Sequence, residues 1–235
     1  MKTYAIFIDT TNCTGCNTCS YRCIQEFRYH NQAAKGLFRT FVTINDDGLY
    51  HKKCMHCANP ECVKVCPVNA LTKSEYGAVL YDAEKCIGCQ SCVKACPFNI
   101  PQFDESSKKI VKCSLCAHRI KDGKEPACSE ACPTGAIQFG EYNAILGKVK
   151  SIAAKKKANI YGKDEAGGTS IFIITKGSPT KAGYPEVKKI PAKKIKKASI
   201  ENPGIFPLVA GIMEGGLKKL EERKSAIAKE KNSKP

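Results

Sequence analysis

The 235-residue chain is 43% hydrophobic, which suits one large or two small globular domains. Its formal charge is +16, but the lysines gather at 148–157 and 188–197 without stacking aromatics or a reader motif, which argues against a nucleic-acid partner. Sixteen cysteines are the outlier, and a disulfide scaffold of that density is usually short and secreted.

In chain order, Tyr4, Ile6 and Ile8 alternate as in a short strand. The apolar stretch from Tyr4 to Ile8 is only five residues, too short for a signal h-region, so no signal peptide is expected. A reducing compartment follows, where clustered cysteines read as metal ligands. They fall into four groups: Cys13, Cys16, Cys19 and Cys23; Cys54, Cys57, Cys62 and Cys66; Cys86, Cys89, Cys92 and Cys96; and Cys113, Cys116, Cys128 and Cys132. Between the first two groups, 40–44 and 49–51 predict a hairpin around Asn45-Asp-Asp-Gly48, and 77–81 predicts a strand leading into the third group.

Beyond the fourth group, 136–139 predicts a strand and 141–157 an amphipathic helix with Ile145, Val149, Ile152 and Ala153 on one face. A further strand is predicted at 171–174. Pro, Gly and Lys dominate from Gly177, which predicts an extended arm rather than core, with a mostly solvated helix near 216–230. The apolar run 205–213 has nine residues and contains Pro207, too little to span a bilayer. It is expected to pack on its own domain or on a partner.

Group three, Cys86-Ile-Gly-Cys89-Gln-Ser-Cys92-Val-Lys-Ala-Cys96-Pro97, matches the bacterial ferredoxin run without a mismatch. Three cysteines two residues apart wrap one 4Fe–4S cube, and Gly88 lets backbone N–H groups approach its sulfides. The fourth cysteine starts a helix leaving the loop and points at a different cube. Group one has the same spacing, with Ile24 in place of the proline; groups two and four insert residues between the outer pairs. Structural zinc is the alternative for a lone pair, but four C-x3-C pairs, three of them followed by Pro67, Pro97 and Pro133, are not zinc spacing. Sixteen thiolates supply four cubes completely, so no 3Fe–4S centre is expected. Each oxidised core with its thiolates carries about −2, which lowers +16 to roughly +8.

Residues 1–140 resemble the four-cluster electron-transfer subunits of molybdopterin oxidoreductases: formate dehydrogenase, dimethyl sulfoxide reductase, polysulfide and thiosulfate reductases, and the related hydrogenase partner. The resemblance rests on Cys54-Met-His-Cys57-Ala-Asn-Pro-Glu-Cys62-Val-Lys-Val-Cys66-Pro67, and on Cys113-Ser-Leu-Cys116-Ala-His-Arg119 followed by Cys128-Ser-Glu-Ala-Cys132-Pro133. It implies an α+β fold of two interleaved ferredoxin-like modules, one from 1–30 plus 110–140 and the other from 50–100. A helix-strand extension (141–176) and an arm with a tail helix (177–235) would follow. It also implies the ligand sets. One cube takes Cys13, Cys16, Cys19 and Cys132, and a second takes Cys23, Cys113, Cys116 and Cys128. A third takes Cys54, Cys57, Cys62 and Cys96, and a fourth takes Cys66, Cys86, Cys89 and Cys92. The nitrate reductase branch typically replaces one cysteine by tryptophan, and this chain has no tryptophan. Tyr161-Gly-Lys-Asp-Glu-Ala-Gly167-Gly168-Thr169 resembles the formate dehydrogenase and hydrogenase-partner branch.

The sequence offers no nucleotide loop and no triad, and His30, His51, His56 and His118 read as structural. Catalysis is therefore expected in a molybdenum- or tungsten-pterin partner, with a membrane cytochrome, a quinone-reactive subunit or a soluble carrier at the other end. A free multi-cluster ferredoxin is the rival, disfavoured by the long region after residue 140. With no signal and no transmembrane helix of its own, the chain is expected in the cytoplasm, or outside it by co-export with the catalytic partner.

Overall fold

The computed structural model describes residues 3–190. Seventeen elements alternate in short runs: β1 (Tyr4–Asp9), α1 (Thr18–Phe27), α2 (His30–Ala34), β2 (Thr40–Asn45), β3 (Gly48–Lys53), α3 (Glu61–Lys64), β4 (Leu71–Lys73), β5 (Val79–Tyr81) and α4 (Ser91–Ala95). They continue with β6 (Gln102–Asp104), β7 (Lys109–Val111), α5 (Ala117–Lys121), α6 (Ala127–Glu130), β8 (Ile137–Glu141), α7 (Tyr142–Lys156), β9 (Asn159–Tyr161) and β10 (Ile171–Thr175). The fold is mixed α and β, and the short elements between cysteine groups leave most of that region as loop.

One four-stranded sheet organises the molecule, in the order β8-β1-β10-β9. β1 lies parallel to β10, with Ile6 opposite Ile171, and antiparallel to β8. Strands covered on both faces read as continuous apolar runs, and from Ala5 to Ile8 and from Ile171 to Ile174 every side chain is fully buried. Alternation then divides the load. Ala5, Phe7, Phe172 and Ile174 face Ile145, Val149 and Ala153 of α7. Ile6, Ile8, Ile171 and Ile173 face the other way, into a core that includes Leu115 and several of the cysteines.

Three hairpins, β2–β3, β4–β5 and β6–β7, stand on the cysteine side as separate two-stranded sheets. The helix and strand expected after residue 140 are present, and they are part of the core. β10 sits second from the sheet edge and α7 covers that face, so 141–175 completes the core. The expectation of an arm away from the core from Gly177 does not hold as far as Ile190. Ala182 and Tyr184 are buried, the Tyr161 hydroxyl donates to the Pro185 carbonyl at 2.8 Å, and Ile190 N–H donates to the Asp164 carbonyl at 2.8 Å. A short irregular stretch can be core when one aromatic anchors it: Tyr184 accepts from His51 N–H at 3.0 Å and packs edge-on against Tyr50. The predicted helix at 216–230 and the apolar run 205–213 lie outside the described residues.

Candidate iron–sulfur sites

The same backbone device recurs in all four groups. The residue before the second cysteine is left-handed in each: Gly15 (φ 72°), His56 (φ 49°), Gly88 (φ 74°) and Leu115 (φ 58°). This reverses the chain tightly between the paired thiols. Glycine takes the conformation without strain, and at Gly88 a Cβ would also stand 2.6 Å from the Lys108 carbonyl oxygen. His56 and Leu115 accept the strain, and both side chains are fully buried. In groups one and four the turn aims an amide at the first thiol: Gly15 N–H reaches Cys13 Sγ at 3.4 Å and Leu115 N–H reaches Cys113 Sγ at 3.3 Å.

Distant groups are brought together. α1, from group one, packs on α6, from group four, and α3, from group two, packs on α4, from group three. An ionic network ties the first pair. Glu26 on α1 accepts from His118 Nε2 at 2.9 Å and from Arg119 Nη1 at 3.0 Å, while Arg119 Nη2 also pairs with Glu130 at 2.7 Å. These partners, His118 first, hold the Glu26 carboxyl below its usual range. Two cavities have cysteine walls. One is lined by Cys23 together with Cys113, Cys116 and Cys128, and the other by Cys66 together with Cys86, Cys89 and Cys92.

The electrostatics follow the same neighbours. Burial pushes the Cys23 thiol up, and the nearby charges of Cys113, Cys128 and Cys116 push it further. Burial also raises Cys57, with Cys54, Cys96 and Cys62 adding to it. Cys92 is raised to about 12 by burial and then by Cys89, Cys66 and Cys86. Cys13 is raised by burial, opposed by the Gly15 amide, and raised again by Cys132 and Cys16. Thiols that crowd one another in apolar surroundings resist ionising until a cation compensates them, which fits an iron–sulfur core. Among the described residues no three Cys, His, Asp or Glu side chains converge as ligands of a single ion. The ligands of a cube each bind a different iron and need not converge in that way.

Three lysines that the cysteine spacing does not mark stand among the thiols. Lys53 is fully buried, with Nζ 3.3 Å from Cys128 Sγ. Lys112 is buried, with Nζ donating to the carbonyls of Val79 and Cys113 at 2.6 and 2.7 Å. Lys73 Nζ donates to the His56 and Gly77 carbonyls at 3.0 and 2.6 Å, and burial lowers its pKa to about 8. Burial, together with the field of these lysines, keeps His56 neutral. Since His56 Nδ1 accepts from Val79 N–H at 2.9 Å, its ring proton sits on Nε2. His51 Nε2 lies 3.6 Å from Cys13 Sγ, and burial lowers its pKa to about 3. A lysine immediately before the first cysteine is a visible signal in groups two, three and four, but Lys85 pairs with Asp82 at the surface while Lys53 and Lys112 are buried.

The stretch after residue 160 supports a cysteine loop directly. Thr169 bridges Cys57, Ala58 N–H donates to the Gly168 carbonyl at 2.9 Å, and Ser170 N–H donates to the Met55 carbonyl at 3.1 Å. The glycine-marked segment thus braces the group-two turn.

Ferredoxin-type cysteine loops, with thiols of separate groups meeting around two shared cavities, define an iron–sulfur protein. Residues 48–142 match the family described as a 4Fe–4S dicluster domain. The chain is 36% identical over 166 residues to the B subunit of the anaerobic dimethyl sulfoxide reductase of Escherichia coli K12, covering 64% of this chain and 80% of that subunit. It is 35% identical over 197 residues to the iron–sulfur subunit of the nitrate-inducible formate dehydrogenase of the same organism, covering 72% and 67%. A protein of Nitratidesulfovibrio vulgaris Hildenborough is 31% identical over 98% of this chain and 70% of its own length. The chain belongs to the iron–sulfur electron-transfer subunits of the molybdopterin oxidoreductases, and its sixteen cysteines fit four 4Fe–4S clusters. The two named kinds of relative match almost equally, so the expected leaning to the formate branch is not singled out. No helix among the described residues is long and apolar enough to cross a membrane.

Proposed function

We propose that this chain is the non-catalytic wiring subunit between a molybdenum- or tungsten-pterin catalytic subunit and a second redox partner, a membrane cytochrome, a quinone-reactive subunit or a soluble carrier. When bound, each cube would supply one-electron chemistry. The chain's own part is to hold four sites in line. The sites are Cys13, Cys16, Cys19 and Cys132; Cys23, Cys113, Cys116 and Cys128; Cys54, Cys57, Cys62 and Cys96; and Cys66, Cys86, Cys89 and Cys92. Groups one and four form one ferredoxin-like module, and groups two and three form a second module inserted within it.

The observation that carries this reading is the pair of cavities, each walled by three cysteines of one group and one from a distant group. Charge contacts between sites support a linear order. Cys92 acts on Cys62, Cys113 acts on Cys54, and Cys128 acts on Cys19. The fourth site therefore neighbours the third, the third the second, and the second the first. Cys16 of the first site is exposed, which suits electron exchange with a partner there.

A formate dehydrogenase and a dimethyl sulfoxide, polysulfide or thiosulfate reductase are both compatible partners, as is a hydrogenase. The cytoplasm, or the outer side of the membrane reached by co-export with the partner, are the settings this role implies. Serine substitution tests the pairing. Cys23→Ser should alter the same EPR signal as Cys113→Ser, and Cys66→Ser the same signal as Cys86→Ser. Cys23→Ser altering instead the signal that Cys16→Ser alters would refute it.

A further inference from the structure

We propose that Lys53, in the wall of the cavity formed by Cys23, Cys113, Cys116 and Cys128, sets the reduction potential of the cube held there above that of the cube held by Cys66, Cys86, Cys89 and Cys92. The inference rests on the ligand sets given above and adds to them the residue that makes two of the sites unequal.

β3 delivers Lys53. Side chains two apart on a strand share a face, so His51 and Lys53 point the same way from the hairpin. His51 Nε2 reaches Cys13 Sγ at 3.6 Å, and Lys53 Nζ reaches Cys128 Sγ at 3.3 Å. One hairpin thus brings an imidazole to the first site and a cation to the second. Opposite Lys53 in the ladder stands Thr40, which lines the same cavity and whose buried Oγ1 has no hydrogen-bond partner among the described residues. Thr40 and Lys53 thus line one wall of a space whose other walls are thiols and apolar groups.

An ammonium that is 1% exposed is costly unless a negative charge compensates it. Among the described residues no carboxylate pairs with Lys53; its neighbours are the sulfurs of Cys128, Cys113 and Cys19, which a bound cube would hold as thiolates. Adding one electron to this site makes and breaks no bond and adds one negative charge. A fixed cation beside that charge favours the reduced form, more strongly in a buried setting than in water. The cavity of Cys66, Cys86, Cys89 and Cys92 has only uncharged side chains in its wall, Tyr81 and Gln90 being the polar ones. Lys112 is buried too, but its ammonium is taken up by two carbonyl oxygens rather than by a thiolate.

The test is an EPR-monitored redox titration of the anaerobic full chain as wild type, Lys53→Met and Lys53→Arg. The methionine variant keeps the length of the stem and removes the charge. It should retain its iron and move one of the four midpoints downward by at least tenfold in the reduction equilibrium, about 59 mV for one electron. Lys53→Arg should restore most of that shift, which a purely packing role would not. The affected signal should be the one that Cys128→Ser alters. Four unchanged midpoints in an iron-replete Lys53→Met protein overturn the proposal, as does a shift confined to a signal that Cys128→Ser leaves alone. If Cys23→Ser and Cys128→Ser alter different signals, the ligand sets fail instead. Should Lys53→Met not assemble, wild-type protein labelled with [ε-15N]lysine decides the matter. Pulsed EPR should then show 15N coupling on one reduced cluster signal, and its absence from all of them overturns the proposal.

Discussion

Gly88→Ala tests whether the left-handed turn between paired thiols is required by the site or is merely tolerated. Two costs add at this position. The backbone at φ 74° is unfavourable for an L-residue by about 1–2 kcal/mol. The new Cβ would also stand 2.6 Å from the Lys108 carbonyl oxygen, and relieving such overpacking costs about 1–3 kcal/mol more. Gly36→Ala isolates the first cost, since Gly36 has φ 75° and nothing within 4 Å of its added Cβ. Each kcal/mol moves Tm by about 2–4 °C in a chain of this size, so anaerobic melting should separate the two variants by several degrees. The shift at Gly88 displaces the loop between Cys86 and Cys89, so iron should fall by about four of sixteen in this variant alone. Equal melting points and full iron in both variants would refute this reading of the turn.

Cys132→Ser should weaken the site of Cys13, Cys16 and Cys19, and residues 3–30 should lose hydrogen-exchange protection together with 110–135; loss confined to 110–135 would show the pairing to be wrong. Phe172→Ala removes a fully buried ring between the sheet and α7, on the face away from the cysteines. It should cost about 3–5 kcal/mol while leaving the iron content unchanged at permissive temperature. The folded-state pKa of Glu26 is depressed, so its contribution is present above the usual carboxylate pKa and is lost as pH falls through the lower, folded value. Melting curves of Glu26→Gln should accordingly show a shallower loss toward acid than wild type, and identical slopes would show that Glu26 adds no pH-dependent stability. Deleting residues 200–235 should leave all four clusters in place and weaken co-purification of the catalytic partner; undiminished co-purification would show that this segment does not dock.

The cysteine groups, the β2–β3 hairpin and α7 are legible in the sequence because each has a local signature: ligand spacing, a turn between alternating residues, or a 3.6-residue period. The Tyr4–Asp9 strand is legible as a strand, but not as the centre of a sheet. Its parallel neighbour starts at Ile171, and nothing local marks a pairing across so long a separation. For the same reason the sequence marks 141–176 only as a helix and a strand, without showing that it supplies half of the sheet and a brace for the Cys57 turn. The ligand sets come from resemblance rather than from spacing, which leaves open which groups pair. The buried lysines escape a reading of the sequence because burial, not sequence, separates Lys53 from Lys85: each precedes a cysteine, and only the hairpin packing turns one inward. His56 reads as structural, and its left-handed backbone and neutral ring bear on how that role is filled. It fills the turn position that glycine occupies in groups one and three.

The most direct test of a four-site electron conduit is coulometric titration of the anaerobically purified chain, with iron and acid-labile sulfide counted on the same sample. Four complete cubes should give about sixteen irons, about sixteen sulfides and four electrons taken up per chain, each at a separate cubane centre. Uptake of two electrons or fewer by protein with its full iron, or stoichiometric zinc in place of iron, would contradict the four-cluster conduit.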